Sequence, residues 1–365
     1  MPKSAKSLLI GSTESHSGKS ATALGVAYEF QKHGVDIAYG KPLGTCYSQD
    51  SADGIDEDVR LLGNILDLPD NRIKPTLLAL DAQTIDKRLR QDDTVDYRQS
   101  MRDVLTNAGE ELVLLEGPGT LDEGSLFGLS LSEIADIADA SVLLVTRFHS
   151  VLLVDALLSA QQRLGDRLIG VAINDIPEEC FDTVQTQIAT FLESQGIAVL
   201  SLMPRNDLLR SVSVRELVGK LEAQVLCCRD RLDLMVESLQ IGAMSVNSAV
   251  KYFQHSRNMA IVTGGDRTDI QLAALETSTH CLILTGHMNP PPKVLERAEE
   301  AEIPVISVDL DTLKSVEIID RAFGQVRLHE PSKVECIRQS MAKYFDFPRL
   351  MGGLGLELAG IGSSD

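Results

Sequence analysis

The sequence predicts an α/β chain: a parallel sheet with helices on both faces, followed by a smaller second α/β domain. Three observations carry this. Short apolar strands alternate with helical spacing from residue 8 to residue 204, the pattern of a sheet covered on both faces. A Gly/Ser-rich loop joins the first strand to the first helix and ends in Gly18-Lys19-Ser20. A second series of strand–helix units begins near residue 241, after a change of register over 205–240.

At 365 residues the chain has room for two or three domains with sizeable cores. No apolar run reaches the ~18 residues that a membrane-spanning helix needs, and the apolar part of the N-terminus is too short for a secretory signal. A cytoplasmic protein with no membrane partner is the expectation. The net charge of −19 argues against nucleic acid, which calls for a basic face. It does not exclude a mononucleotide, because one loop and one lysine dominate the field of their own pocket. Six cysteines at 46, 180, 227, 228, 281 and 336 lack metal-ligand spacing and read as small buried residues.

In chain order, the strand ending in LLIGS leads into the loop and a predicted helix over 20–33 that stops at Gly34. This is the layout of a phosphate-binding loop. N–H groups at a helix start face an anion, the lysine reaches the outer phosphates, and the serine hydroxyl ligates Mg²⁺. The candidate contacts are Thr13, Glu14, Ser17, Gly18, Lys19 and Ser20. Thr13 stands where the G-x-x-x-x-G-K-[ST] pattern has glycine, and Gly11 offers the flexible turn two places earlier. A strand over 35–39 ends at Gly40-Lys41-Pro42, which points Lys41 into the ligand crevice beyond the strand ends. An acidic loop over 50–58 then enters a helix over 59–66, and either Asp58 or Asp56 falls where a Mg²⁺ ligand is needed.

Residues 67–108 read as a polar excursion with one helix over 96–108. The stretch ELVLLEGPG ends an apolar strand in Glu116, a carboxylate placed to hold Mg²⁺ or its waters. Helices over 132–138, 152–164 and 180–196 alternate with strands over 141–147, 168–175 and 197–204. Asn174, at one of these strand ends, is placed either to read an adenine edge or to form a turn. In the second series, strands near 259–263, 281–285 and 304–308 carry two adjacent loops, Gly265-Asp266-Arg267-Thr268 and Thr285-Gly286. These are open to two readings: an anion or nucleotide site, or a glycine turn with Asp269 as a helix N-cap. The Gly-rich end from residue 346 shows no periodic pattern and is expected to be a flexible tail.

The motifs GSTESHSGKS, Gly40-Lys41-Pro42, Asp58, Leu115-Glu116-Gly117-Pro118-Gly119 and Asn174-Asp175 together resemble the dethiobiotin-synthetase-like domain. That P-loop NTPase-like domain also forms the N-terminal region of long bacterial phosphotransacetylases. Gly242-Ala243-Met244, Gly265 to Asp269 and Leu284-Thr285-Gly286 resemble the DRTGG domain. The implied organisation is a P-loop domain over 1–205, a connector over 206–226, a DRTGG-type domain over 227–345 and the tail over 346–365. The resemblance places the end of the chain where an acetyltransferase domain would begin, so no acetyl transfer is expected.

It implies ATP and Mg²⁺ as cofactors, with Lys19 on the β- and γ-phosphates, and Ser20, Asp58 and Glu116 on the metal. It further implies Lys41 on a transferring phosphoryl group, Asn174 on adenine, an adenine nucleotide at the DRTGG loops, and a homo-oligomer. The leading expectation is an ATP-binding regulatory protein with a DRTGG sensor and weak ATPase activity. The alternatives are an ATP-dependent ligase or kinase acting on a small carboxylate, and a non-hydrolysing scaffold serving an unidentified protein partner.

Overall fold

Seven parallel strands make the sheet of the first unit, and the strand that carries the phosphate loop lies at its centre. The computed structural model describes residues 5–44, 55–106, 109–254, 256–286, 288–324 and 330–356. Cys46, the acidic loop before residue 55 and the chain beyond 356 lie outside the described residues. In chain order the first unit runs β1 (Lys6–Ser12), α1 (Lys19–Lys32), β2 (Ile37–Gly40), α2 (Glu57–Ile65), β3 (Ile73–Lys74) and β4 (Leu112–Glu116). It continues with α3 (Leu131–Ile137), β5 (Ser141–Arg147), α4 (Leu153–Leu164), β6 (Leu168–Ile176) and β7 (Val199–Pro204). The strand order is β3-β2-β4-β1-β5-β6-β7. Outward from β1 the sheet continues through β4 and β2 to β3 on one side, filled before the chain crosses to β5, β6 and β7 on the other. The carboxyl end of β1 is therefore the switch point at which a crevice opens.

Apolar runs form these strands because each is buried on both faces. In β1, Leu9 joins the cluster built on Leu131, Ile134, Leu157 and Ile188, while Leu8 and Ile10 point to the opposite face. A polar helix missing from the sequence reading, Ala82–Leu89, is capped by Asp81 and buries none of its side chains. The helix read over 96–108 is shorter, Tyr97–Val104, and Asp96 caps it.

The chain divides into two units, residues 1–205 with 328–365, and residues 206–327. The second unit contains α5 (Val214–Lys220), β8 (Gln224–Cys227), β9 (Ser238–Ile241), α6 (Val246–Phe253), β10 (Met259–Gly264) and α7 (Thr268–Ala274). It ends with β11 (Thr279–Thr285), α8 (Pro292–Glu300), β12 (Val305–Val308) and α9 (Thr312–Gly324). Its sheet has the order β8-β12-β11-β10-β9, with only β8 antiparallel.

Two differences from the sequence reading follow. The segment 206–226, read as a connector, is part of the second unit: Val214 and Leu217 enter its core, and Gln224 and Val225 pair with β12. The last stretch returns to the first unit as α10 (Pro331–Tyr344) and α11 (Phe347–Leu354). Residues 346–356 are therefore not a tail without structure. Phe347, Leu350, Met351 and Leu354 share one buried face, and Asp346 caps the helix by accepting from the Arg349 N–H. Helix α10 lies so close on α1 that a Cβ on Gly25 would sit 2.2 Å from Met341 Cγ.

Candidate functional site

The loop between β1 and α1 turns through Gly18, whose φ of 100° lies in the left-handed region that glycine alone enters cheaply. Among the described residues, no side chain caps the helix that follows. The first-turn N–H groups have no acceptor within the helix, and they face the crevice with the positive end of its dipole. Lys19 is only 9% exposed, and its Nζ donates to Ser12 Oγ at 3.0 Å. Burial, with Lys41 adding repulsion, holds its pKa below the ordinary lysine value despite Glu116 and Glu123 nearby. A buried ammonium disfavoured in this way gains from an anion.

Beside it, Ser20 Oγ donates to Glu116 Oε1 at 2.9 Å, and the buried Tyr39 hydroxyl donates to Glu116 Oε2 at 2.9 Å. Lys41 is buried and donates to Asp58 Oδ2 at 2.8 Å and Asp56 Oδ1 at 3.4 Å. Burial alone would lower its pKa, but the carboxylates of Glu116, Asp58 and Asp56 outweigh that and hold it well above the usual lysine range. Asp56 is the N-cap of α2 and accepts from the Asp58 N–H. Of the two aspartates left open by the sequence, Asp58 makes the shorter ion pair and Asp56 anchors the helix start.

Thr13, Glu14 and Asn174 tie the loop to neighbouring strands. Thr13 Oγ1 lies 3.0 Å from Thr146 Oγ1. Glu14 Oε1 accepts from the Arg147 N–H at 3.2 Å, and Glu14 Oε2 meets His149 Nε2 at 2.9 Å. Asn174 Nδ2 donates to the Ser17 carbonyl at 2.9 Å, and the buried Ser17 hydroxyl has no hydrogen-bond partner among the described residues. The next residue, Asp175, is gripped by Arg147 at 2.7 Å and Arg205 at 3.0 Å.

The chemistry of this set fits a polyphosphate with a divalent cation: helix N–H groups and Lys19 for the phosphates, and a hydroxyl facing a carboxylate for the metal. Lys19, Ser20, Lys41, Asp58 and Glu116, read separately from the sequence, lie within electrostatic reach of one another around the Ser20–Glu116 and Lys41–Asp58 bonds. Tyr39 and Ser12 were not read from it. Tyr39 had a signal: it lies two residues before Lys41, so strand alternation puts both on one face.

In the second unit, the loops after β10 and β11 are joined by the Gly265 N–H donating to the Thr285 carbonyl at 3.0 Å. Thr285 Oγ1 is 3.0 Å from Thr312 Oγ1, and Gly286 has a φ of 86°. Arg267 donates to the Met244 carbonyl at 2.9 Å and pairs with Asp269. Arg267 occupies the cap position of α7 without its side chain capping the helix, so Asp269 is not the N-cap. Asp266 is exposed and Thr268 opens the helix. His287 lies outside the described residues.

A family model for the AAA domain matches residues 6–213, more than half of the chain. The chain belongs to that family. The DRTGG domain model matches residues 216–322 of this AAA-domain protein. It is 28% identical over 323 residues to the phosphate acetyltransferase of Synechocystis sp., a match covering 80% of this chain and 43% of that protein. It is 24% identical over 375 residues to the phosphate acetyltransferase of Nitratidesulfovibrio vulgaris, covering 94% and 51% respectively. The chain thus spans about half the length of the curated relatives it matches. Among solved structures, it is similar to the CBS and DRTGG domains of the regulatory region of Clostridium perfringens pyrophosphatase complexed with the activator diadenosine tetraphosphate. The TM-score there is 0.29, with 15% identity over 49% of this chain and 90% of that one.

Proposed function

We propose that this AAA-domain protein binds ATP with Mg²⁺ in the first unit and acts as a regulatory protein, with the DRTGG domain as a sensor of an adenine nucleotide. The observation that carries the reading is the convergence of the Ser20–Glu116–Tyr39 hydrogen bonds with Lys19, which feels the Glu116 charge, at the carboxyl ends of β1, β2 and β4. Lys19 and the first-turn N–H groups would hold the phosphates, and Ser20 and Glu116 the Mg²⁺, which when bound neutralises phosphate charge. Asp58 would reach the metal only by letting go of Lys41. In this reading acetyl transfer is not an activity of these two domains, and any ATP hydrolysis is slow.

The test is calorimetric titration of ATP with Mg²⁺ into the protein and into Lys19→Ala. Micromolar binding by the parent and its loss in the variant support the reading. No heat from either would remove the ATP site and leave a non-hydrolysing scaffold.

The second reading, phosphoryl transfer to a small carboxylate, is favoured by one observation. Lys41 places a second buried ammonium close enough to depress Lys19, which fits a group more anionic than the nucleotide alone. ATP turnover that rises with an added small carboxylic acid would decide for it.

A further inference from the structure

We propose that Asn174 is a positioning residue that props the phosphate loop in its anion-ready shape. The proposal rests on the ATP-binding reading above for its functional consequence and on geometry for its mechanical part.

The loop has Thr13 where the common pattern has glycine, so it depends on neighbours for its shape. Strand β5, next to β1, supplies Thr146 to Thr13 and the Arg147 N–H to Glu14. Strand β6, one place further out, supplies Asn174, whose Nδ2 donates to the Ser17 carbonyl at 2.9 Å. A Cβ built on Gly18 would lie 2.2 Å from that same nitrogen, so the amide fills the space that the missing side chain leaves. Gly18 is thus fixed twice, by its φ of 100° and by the amide beside it. The residue after it is Lys19, so the peptide that Asn174 grips sets where α1 begins and where its N–H groups aim. Among the described residues the Ser17 hydroxyl has no hydrogen-bond partner, so the Asn174 amide holds Ser17 through its carbonyl.

A base reader and a loop prop respond differently when the base is removed. The experiment titrates ATP and inorganic tripolyphosphate, each with Mg²⁺, into the parent, Asn174→Ala and Asn174→Asp. It also follows amide hydrogen exchange over residues 12–20 without ligand. Asn174→Asp keeps the volume but presents an acceptor to the Ser17 carbonyl, which guards against a packing artefact. The expected result is that both ligands weaken by the same factor in both variants, about tenfold, equivalent to 1.4 kcal/mol. Loop amides also exchange faster than in the parent while the amides of β4 do not. Loss confined to ATP, with tripolyphosphate unchanged, would overturn the proposal and return Asn174 to the base. Unchanged loop exchange in either variant would overturn it as well. If the parent binds neither ligand, the ATP-binding reading has failed, and the exchange measurement alone decides whether Asn174 props the loop.

Discussion

Replacing Lys19 with methionine is expected to stabilise the ligand-free protein while abolishing its response to nucleotide. Lys19 is buried, and its lowered pKa means that the folded state holds the ammonium proton less tightly than the unfolded chain does. The sign follows from linkage. Below its folded-state pKa the charged lysine penalises folding in full, and the penalty fades as pH rises toward the unfolded value near 10.5. Methionine keeps the length of the stem and removes the charge. Ser12 Oγ loses one donor but stays 2.9 Å from the Glu14 carbonyl and 2.8 Å from that of Gly119, so no buried hydroxyl is orphaned. A gain of about 1 kcal/mol is the usual return for such a change, or roughly 3 °C for a unit of this size. MgATP at a hundred times its dissociation constant stabilises the parent by about 2.7 kcal/mol and the variant by nothing. Scanning calorimetry at pH 7, with and without MgATP, reads both movements. A ligand-free variant that melts below the parent refutes the electrostatic argument, and equal MgATP shifts in the two proteins refute the phosphate role of Lys19.

Lys41→Met has the opposite sign. It leaves the buried Asp56 and half-buried Asp58 without their cation, at a cost of about 3–5 kcal/mol in urea denaturation. Because the folded pKa of Lys41 is raised, the stability that it lends is complete below its unfolded value and fades only as pH climbs toward the folded one. The loss on mutation should therefore be the same at pH 7 and pH 9. Tyr39→Phe keeps the ring and removes one hydrogen bond to a buried carboxylate, so about 1.5–3 kcal/mol should go, and a loss under 0.5 kcal/mol would mean that water replaces the hydroxyl. Removing residues 331–365 strips Ile337, Met341, Phe347, Leu350, Met351 and Leu354 from the first unit. At about 2 kcal/mol each, their burial rivals the whole stability of a domain, so a chain of residues 1–330 should show a molten first unit by near-ultraviolet dichroism.

The parts of the fold legible in the sequence were those with strong period: β1, β4, β5 and β6 are unbroken apolar runs, and Gly18-Lys19-Ser20 marks its own loop. Glu116 and Lys41 were readable because each follows such a run directly. Asn174 was visible as a strand-end amide, but its direction was not, because the Ser17 carbonyl that it meets is 157 residues away in the chain. Helix α11 was hidden by Gly352, Gly353 and Gly355, which look like a flexible tail. Yet Asp346 followed by Phe347-Pro348, with apolar residues at 347, 350, 351 and 354, is a complete start signal and face. Tertiary burial overrode the weak helix propensity of the glycines.

The return of α10 and α11 to the first unit has a consequence for biosynthesis. During translation, α1 is made early, but the helices that cover it leave the ribosome only after all of residues 206–327. At about 5–20 residues per second this leaves the apolar side of α1, with Gly25 and Phe30, uncovered for tens of seconds. The nascent chain can complete its second unit while the first still waits for its closing segment. The order in which the two units close would then be the reverse of the order in which they are begun.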